Sequence, residues 1–120
     1  MNCSFQLFFA SGVYTVCMSA DGYIDFEWDD RKAEANEAKH AVSFEEAADA
    51  FFDPYARVVA DAAHSQEEER FFLMGMSLAP RVLTVCYCER RHGLTVRIIS
   101  AREATKTEEK AYWRYRHEGE

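Results

Sequence analysis

The chain has 120 residues, of which 48% are hydrophobic, and it carries a formal net charge of −7. These values fit one packed domain and exclude a disordered chain, and no apolar run reaches the roughly 20 residues that span a bilayer. The acidic balance argues against a nucleic-acid partner overall, but residues 81–116 hold nine basic and four acidic side chains, so a basic surface could form locally.

The first 17 residues are apolar and contain no Lys or Arg. A secretory signal normally begins with positive charge, which disfavours a signal peptide here. Two other interpretations stay open, a true start at Met18 and a native extra strand. We therefore treat residues 1–22 as an N-terminal extension of doubtful relevance and residues 23–120 as a single domain.

The alternation in Tyr23–Trp28 predicts a first strand, and Asp29 is typical of the N-cap of a helix that runs to about Lys39. Residues three and four apart share a helix face. One face of this helix is therefore polar and consists of Lys32, Asn36, Lys39 and His40. A helix built only to fill a core would carry apolar residues there, so this face is a candidate binding surface.

Ser43 and Glu46 form a capping box that opens a second helix. Four strand signals follow: Arg57–Asp61, Arg70–Leu78, Arg81–Glu89 and Leu94–Ala101. A second capping box, Thr105 with Glu108, opens a helix that runs to about Arg116. The order βααββββα predicts an α+β fold with two N-terminal helices, a four-to-five-stranded mainly antiparallel sheet and a C-terminal helix, with the helices on one face of the sheet.

Arginines mark the last strand and the start of an earlier one. Strict alternation places Arg97 on one face of the last strand and Arg102, at its end, on the other. Arg70 opens the earlier strand after a polar loop that contains His64, whose ordinary pKa lies near neutrality. These side chains and the polar helix face are the candidates for chemistry.

Four cysteines occur, at positions 3, 17, 86 and 88, without a C-x-x-C pair or the spacing of a zinc site. Cys86 and Cys88 share one face of a strand, where they are poorly placed to bridge each other. We therefore expect free thiols in a reducing cytoplasm, and we expect no metal and no cofactor.

Four ordered blocks of sequence resemble the BrnT toxins, the ribonuclease halves of bacterial type II toxin–antitoxin pairs. The blocks are F-E-W-D-x-x-K-x-x-x-N-x-x-K-H at 26–40, V-S-F-E-E-A at 42–47, H-S-x-x-E-E-R at 64–70 and R-I-I-S-A-R-x-A-T at 97–105. The resemblance implies a compact fold similar to the RelE-type ribonuclease toxins. It also implies neutralisation by a cognate DNA-binding antitoxin, similar to BrnA and usually encoded just downstream. The first 17 residues depart from the usual start of the family.

Metal-free RNA cleavage needs a base for the 2′-hydroxyl proton, an acid for the leaving 5′-oxygen and cations for the phosphorane. The sequence has no cluster of Asp, Glu and His at metal-ligand spacing, which favours this route. The catalytic candidates are His64, Arg70, Arg97, Arg102 and His40, and the candidates for binding RNA or its phosphates are Lys32, Asn36 and Lys39. Proton transfer would fall to one of the two histidines, with Lys39 or Glu69 as alternatives.

Each candidate also has a structural interpretation. Arg97 and Arg102 could bridge to Glu103 or Glu108, and Arg70 could pair with the acids just before it. The two lysines could offset nearby acids, and the histidines could satisfy backbone groups at a helix end or in a loop. The last helix carries three aromatic residues that either pack in the core or face the antitoxin: Tyr112, Trp113 and Tyr115.

We therefore predict a small cytoplasmic endoribonuclease toxin. Its expected partners are RNA and the cognate antitoxin, with which it forms a two-fold heteromeric complex, and no membrane. The alternative is a non-catalytic, degenerate toxin that only binds its antitoxin and co-regulates the operon. The net negative charge motivates that alternative, because phosphate binding needs a basic surface.

Overall fold

The computed structural model describes residues 13–17, 23–61, 69–90 and 95–119, with the backbone alone at 13–17 and 23. These residues form six strands and three helices: β1 Val13–Cys17, β2 Tyr23–Glu27, α1 Asp30–His40, α2 Phe44–Ala50, β3 Arg57–Ala60, β4 Arg70–Met76, β5 Val82–Arg90, β6 Thr95–Glu103 and α3 Lys106–Gly119. Among these described residues, no helix is long and apolar enough to cross a bilayer.

The predicted order βααββββα is confirmed from β2 to α3. The strand β1 is additional, and it pairs antiparallel with β2. The six strands are ordered β1-β2-β6-β5-β4-β3, and the neighbours from β3 to β6 are all antiparallel. Only β2 and β6 run parallel, so the sheet is mainly antiparallel, as predicted.

The helices lie on both faces of the sheet, and the prediction that they share one face was wrong. Leu83 and Val85 of β5 belong to the apolar core beneath α2. Thr84, which points the other way, donates a hydrogen bond to Glu108 of α3 at 3.0 Å. All residues from Val82 to Cys88 are buried, so β5 needs cover on both sides.

The predicted caps form, with one change of partner. Asp29 accepts hydrogen bonds from the N–H groups of Arg31 and Lys32 at the start of α1. At the start of α2, Ser43 Oγ accepts from the N–H of Glu46. The side chain of Glu46 does not return to Ser43 as predicted, because it accepts instead from the guanidinium of Arg81 at 2.6 and 2.7 Å.

The box at the start of α3 closes in both directions. The N–H of Glu108 donates to Thr105 Oγ1 at 3.2 Å, and the N–H of Thr105 donates to Glu108 Oε1 at 2.9 Å. Farther along, the hydroxyl of the fully buried Tyr112 donates to Asp53 Oδ2 at 2.5 Å. The box therefore fixes the start of α3, and the contact with Asp53 ties its middle to the segment that follows α2.

Asn36 holds α1 against the sheet. Strand β2 pairs with β6 only as far as Arg97, and no other strand in the described part of the chain lies beside this edge of β6 beyond that residue. Asn36 replaces the missing strand: its Oδ1 accepts from the N–H of Ala101 at 3.0 Å, and its Nδ2 donates to the carbonyl of Ala101 at 2.8 Å and to that of Val42 at 3.0 Å. A peptide group of another strand would make the same pair of bonds to Ala101.

We expect Asn36→Ala to lower the free energy of unfolding by about 3 kcal/mol, because it leaves three buried backbone groups without partners. The matched control is Glu37→Ala, at an exposed neighbour on the same helix, which should change the value by less than about 0.5 kcal/mol. Urea unfolding followed by circular dichroism measures both. Equal, small losses for the two variants would contradict the role given to Asn36.

Candidate functional site

Cross-strand pairing places four side chains in one row across the sheet. Arg70 on β4 lies opposite Cys88 on β5, and Cys88 lies opposite Arg97 on β6. Arg97 in turn lies opposite Glu27 on β2. Directly opposed residues point to the same face of a sheet. We call Glu27, Arg97, Cys88 and Arg70 the arginine row.

A bulge in β6 is what brings Arg97 into this row. Cys86 is paired with Ser100, but the next residue of β5, Tyr87, is paired with Ile98, so that Ile99 has no opposite residue on β5. The bulge inverts the alternation along β6, and Ile98 and Ala101, three positions apart, both enter the core. The prediction that Arg97 and Arg102 lie on opposite faces was therefore wrong, because it assumed strict alternation.

The arginine row and α3 occupy opposite ends of the same sheet face. Helix α3 contacts Thr84, which lies four residues before Cys88 on β5 and so about 13 Å from it. Between these two positions lie Cys86 and the exposed Ser100 opposite it. The row therefore lies on a part of the sheet that α3 does not cross.

Arg97 lies next to two carboxylates, those of Glu27 and Asp29. Its Nη1 lies 3.2 Å from Glu27 Oε2, and the two side chains are 30% and 18% exposed. The pKa of Asp29 is lowered mainly by the hydrogen bond from the N–H of Lys32, and the positive charges of Lys32 and Arg97 lower it further. Asp29, at the start of α1, therefore lies near Arg97.

The row offers two guanidinium groups for one anion. Neighbouring strands are about 4.8 Å apart, so the backbones of Arg70 and Arg97, two strands apart, are separated by about 10 Å. Cys88 between them is 1% exposed and has a short side chain. Guanidinium groups bind phosphate oxygens in bidentate fashion, and this spacing would let both approach a phosphodiester from opposite sides.

Two residues near the row escaped the sequence interpretation. Glu27 alternates with the core residue Phe26 in β2, which marks it as facing away from the core, but nothing in the sequence shows that it meets Arg97. Thr95 shares the face of Arg97 two positions earlier in β6 and is 1% exposed, and its hydroxyl has no hydrogen-bond partner among the described residues. Both depend on the pairing of strands distant in sequence.

Arg102 has a different environment from Arg97. Its guanidinium donates to both carboxylate oxygens of Glu108, at 2.7 and 3.0 Å, and to the carbonyl of Glu103 at 3.3 Å. It lies five positions along β6 from Arg97, which corresponds to about 16 Å. The structure therefore favours the structural interpretation, in which Arg102 fixes the start of α3.

The four polar residues of α1 do not lie together at one site. Asn36 is 7% exposed and its amide is fully used by backbone groups, as described above. Lys39 and His40 lie at the end of α1 away from Asp29, and His40 is about 12 Å along the helix from Lys32. Lys32 is the member of this face that lies in the first turn of α1, next to Asp29, whose pKa the charge of Arg97 lowers.

The remaining predicted residues fall in three places. His64 lies outside the described residues, and Glu69 is exposed next to Arg70. Tyr112 is fully buried, so it leaves the set predicted to face the antitoxin. Tyr115 is 45% exposed, with the Arg57 guanidinium 5.0 Å from its ring centre, and Trp113 is partly exposed.

No metal centre emerges from the described part of the chain, where no group of three or more His, Cys, Asp and Glu side chains could hold an ion together. Cys86 and Cys88 are buried thiols that are not joined in a disulfide, as predicted. Burial raises the pKa of the Cys86 thiol, and the nearby charge of Arg70 opposes this rise.

Comparison with known proteins gives one family. A family model described as the ribonuclease toxin BrnT of type II toxin–antitoxin systems matches residues 28–108, more than half of the chain. The chain is also similar to the 1.1 Å crystal structure of the Brucella abortus ribonuclease toxin BrnT, with a TM-score of 0.50 and 21% identity over 66% of this chain and 94% of that one. At this identity the structural likeness shows the fold. No curated protein matches the chain.

The contact between Arg102 and Glu108 predicts a pH-dependent stability. Arg102 lowers the pKa of Glu108 from 4.5 to about 2. A carboxyl group with a lowered pKa stabilises the folded state at pH values above its ordinary pKa, and this contribution is lost as the pH falls towards the lowered pKa. The carboxylate is partly solvated, so we expect Glu108→Gln to cost about 1 kcal/mol at pH 7. This difference from the unmodified chain should shrink as the pH falls from 4.5 towards 2. Urea unfolding across this range measures it, and a pH-independent difference would contradict the assignment.

Proposed function

The chain belongs to the BrnT family of ribonuclease toxins of type II toxin–antitoxin systems, and on that basis we propose that it cleaves RNA at the arginine row. The observation that carries this proposal is the register that sets Arg70 and Arg97 on either side of Cys88, on one face of the sheet. Arg70 and Arg97 hold the scissile phosphate between them, and Lys32 extends the positive surface along the RNA backbone.

The proposed reaction needs no metal. A base removes the proton from the 2′-hydroxyl, the 2′-oxygen forms a bond to phosphorus, and the bond to the 5′-oxygen breaks as that oxygen takes up a proton. Charge develops on the phosphoryl oxygens during this step, and fixed guanidinium groups stabilise it. In addition to the two guanidinium groups, the site therefore needs a side chain that accepts the proton of the 2′-hydroxyl.

Glu27 is our candidate for the proton acceptor. Its carboxylate lies 3.2 Å from Arg97, the arginine that would hold the phosphate. Glu27 would therefore lie beside the bound phosphate, where a proton acceptor for the 2′-hydroxyl is needed. His40 and Lys39 lie at the far end of α1 and Arg102 is held by Glu108, so we propose no reacting role for these three.

The type II family supports a protein antitoxin as the second partner. We propose a cognate, DNA-binding antitoxin similar to BrnA, a two-fold heteromeric complex and a cytoplasmic site of action. The exposed aromatic residues of α3, Trp113 and Tyr115, are candidates for this contact because aromatic residues are enriched in protein interfaces.

One observation favours a second candidate function. The net charge of −7 is unusual for a protein that must bind RNA, and it suits a degenerate toxin that only binds its antitoxin and co-regulates the operon. Inducing the gene alone in a bacterial host separates the two functions. Growth arrest with RNA loss supports the nuclease, and normal growth of cells containing folded protein supports the binding module.

We expect Arg70→Ala and Arg97→Ala each to lower the rate of RNA cleavage by about 10²–10³-fold, because each removes a charged donor from the transition state. Arg31→Ala is the matched control. Arg31 is an exposed arginine of α1 on the side of the helix opposite Asn36, and its loss should change the rate less than about twofold. Single-turnover cleavage of a labelled RNA measures all three. Equal rates for the two row variants and the unmodified protein would contradict the site.

The proposed chemistry also fixes the ends of the products. Attack by the 2′-hydroxyl leaves a 2′,3′-cyclic phosphate and a 5′-hydroxyl, and cleavage should continue in excess EDTA. Glu27→Gln should lower the rate by about 100-fold without changing these ends. Mass spectrometry of the fragments identifies them. A 5′-phosphate, or inhibition by EDTA that Mg²⁺ reverses, would contradict the metal-free route.

A further inference from the structure

The face of α3 that points away from the sheet is basic. Successive residues of a helix are turned by about 100°, so positions 106, 110 and 114 lie roughly 120–160° around the axis from the buried Tyr112. Lys106, Lys110 and Arg114 are all exposed, and none forms an ion pair with another described residue. Together with the partly exposed Trp113 and the exposed Glu109 they line a shallow surface groove. We call Lys106, Lys110, Arg114 and Trp113 the basic stripe.

The three cations of the basic stripe do not stabilise α3, unlike Glu108 and Glu109 in its first turn. Lys106 lies in the first turn of α3, where the helix dipole favours negative side chains. The three cations follow each other at intervals of four residues, at which like charges repel. The chain as a whole is acidic, so its composition gives no reason for three stacked cations. A negatively charged partner would offset both costs.

We infer that the basic stripe is the docking surface for an acidic helical segment of a protein partner. The three cations are spaced about 6 Å apart along the axis, which matches acidic side chains four residues apart on an opposing helix. The groove beside Trp113 would receive an apolar side chain of the same segment. The identity of that partner as the antitoxin rests on the proposed function.

Two observations favour a peptide over RNA at this surface. The ring of Trp113 is already contacted by Tyr112 at 5.3 Å, by the guanidinium of Arg116 at 5.1 Å and by His117 at 6.0 Å, so little of it is left for a stacked base. The basic stripe also points away from the sheet, whereas the arginine row lies on the sheet face. An RNA strand lying across the row would not follow this side of α3.

The test reverses the charge of the stripe in the full chain. The variant Lys106→Glu/Lys110→Glu is titrated calorimetrically with the purified product of the gene directly downstream, and Lys106→Arg/Lys110→Arg is the control that keeps the charge. We expect the reversal to weaken binding by about tenfold or more and the control to stay within about twofold. RNA cleavage without the partner should be unchanged, and heat stability should not fall, because both glutamates suit their positions on the helix.

Three results would overturn the inference. The first is a downstream protein that fails to bind the unmodified chain, and the second is binding that the reversal leaves unchanged. The third is loss of RNA binding with partner binding intact, which would make the stripe an RNA surface. If the chain binds the partner in a charge-dependent way but cleaves no RNA, the inference holds and the proposed nuclease function is wrong. The test therefore distinguishes failure of the inference from failure of the proposed function.

Discussion

The bulge in β6 determines which side chains lie on the sheet face that carries the arginine row. With strict alternation from Ser100 backwards, Ile98 would point out of the core and Arg97 into it. Burying an unpaired guanidinium costs several kcal/mol, whereas burying an Ile side chain gains about 2 kcal/mol. The bulge removes this conflict, since one extra residue returns Ile98 to the core, where it is 1% exposed, and sends Arg97 to the other face.

Two further devices keep this face in place. Asn36 supplies the hydrogen bonds of a missing strand, so that β6 stays ordered beyond the end of β2 while α1 runs alongside it. Glu108 joins Arg102, the residue after Ala101, to Thr84 and fixes α3 there. Both contacts lie four to five positions along β6 from Arg97 and hold the strand that carries it. A rigid register of this kind suits a site that must hold two cations at a fixed separation.

The sequence predicts the elements of this fold well and the relations between them poorly. The caps at Asp29 and Ser43 and the box at Thr105 are local signals, and the helices begin where they indicate. The contact between Glu27 and Arg97 joins strands 70 residues apart, and the second role of Glu46 depends on Arg81, 35 residues away. No spacing along the chain encodes these pairings. Asn36 shows the same limit, because a polar residue on a helix face signals a binding site and a structural contact equally well.

The central claim is that Arg70 and Arg97 together hold the phosphate of an RNA strand. The most direct measurement is a ¹⁵N NMR titration of the arginine Nε–H groups with a short RNA whose 2′-hydroxyls are methylated, so that it binds without being cleaved. The signals of Arg70 and Arg97 should shift together and saturate at the same RNA concentration, while those of Arg81 and Arg102, which lie outside the arginine row and pair with Glu46 and Glu108, stay in place. Unchanged signals for Arg70 and Arg97 in the presence of bound RNA would contradict the account.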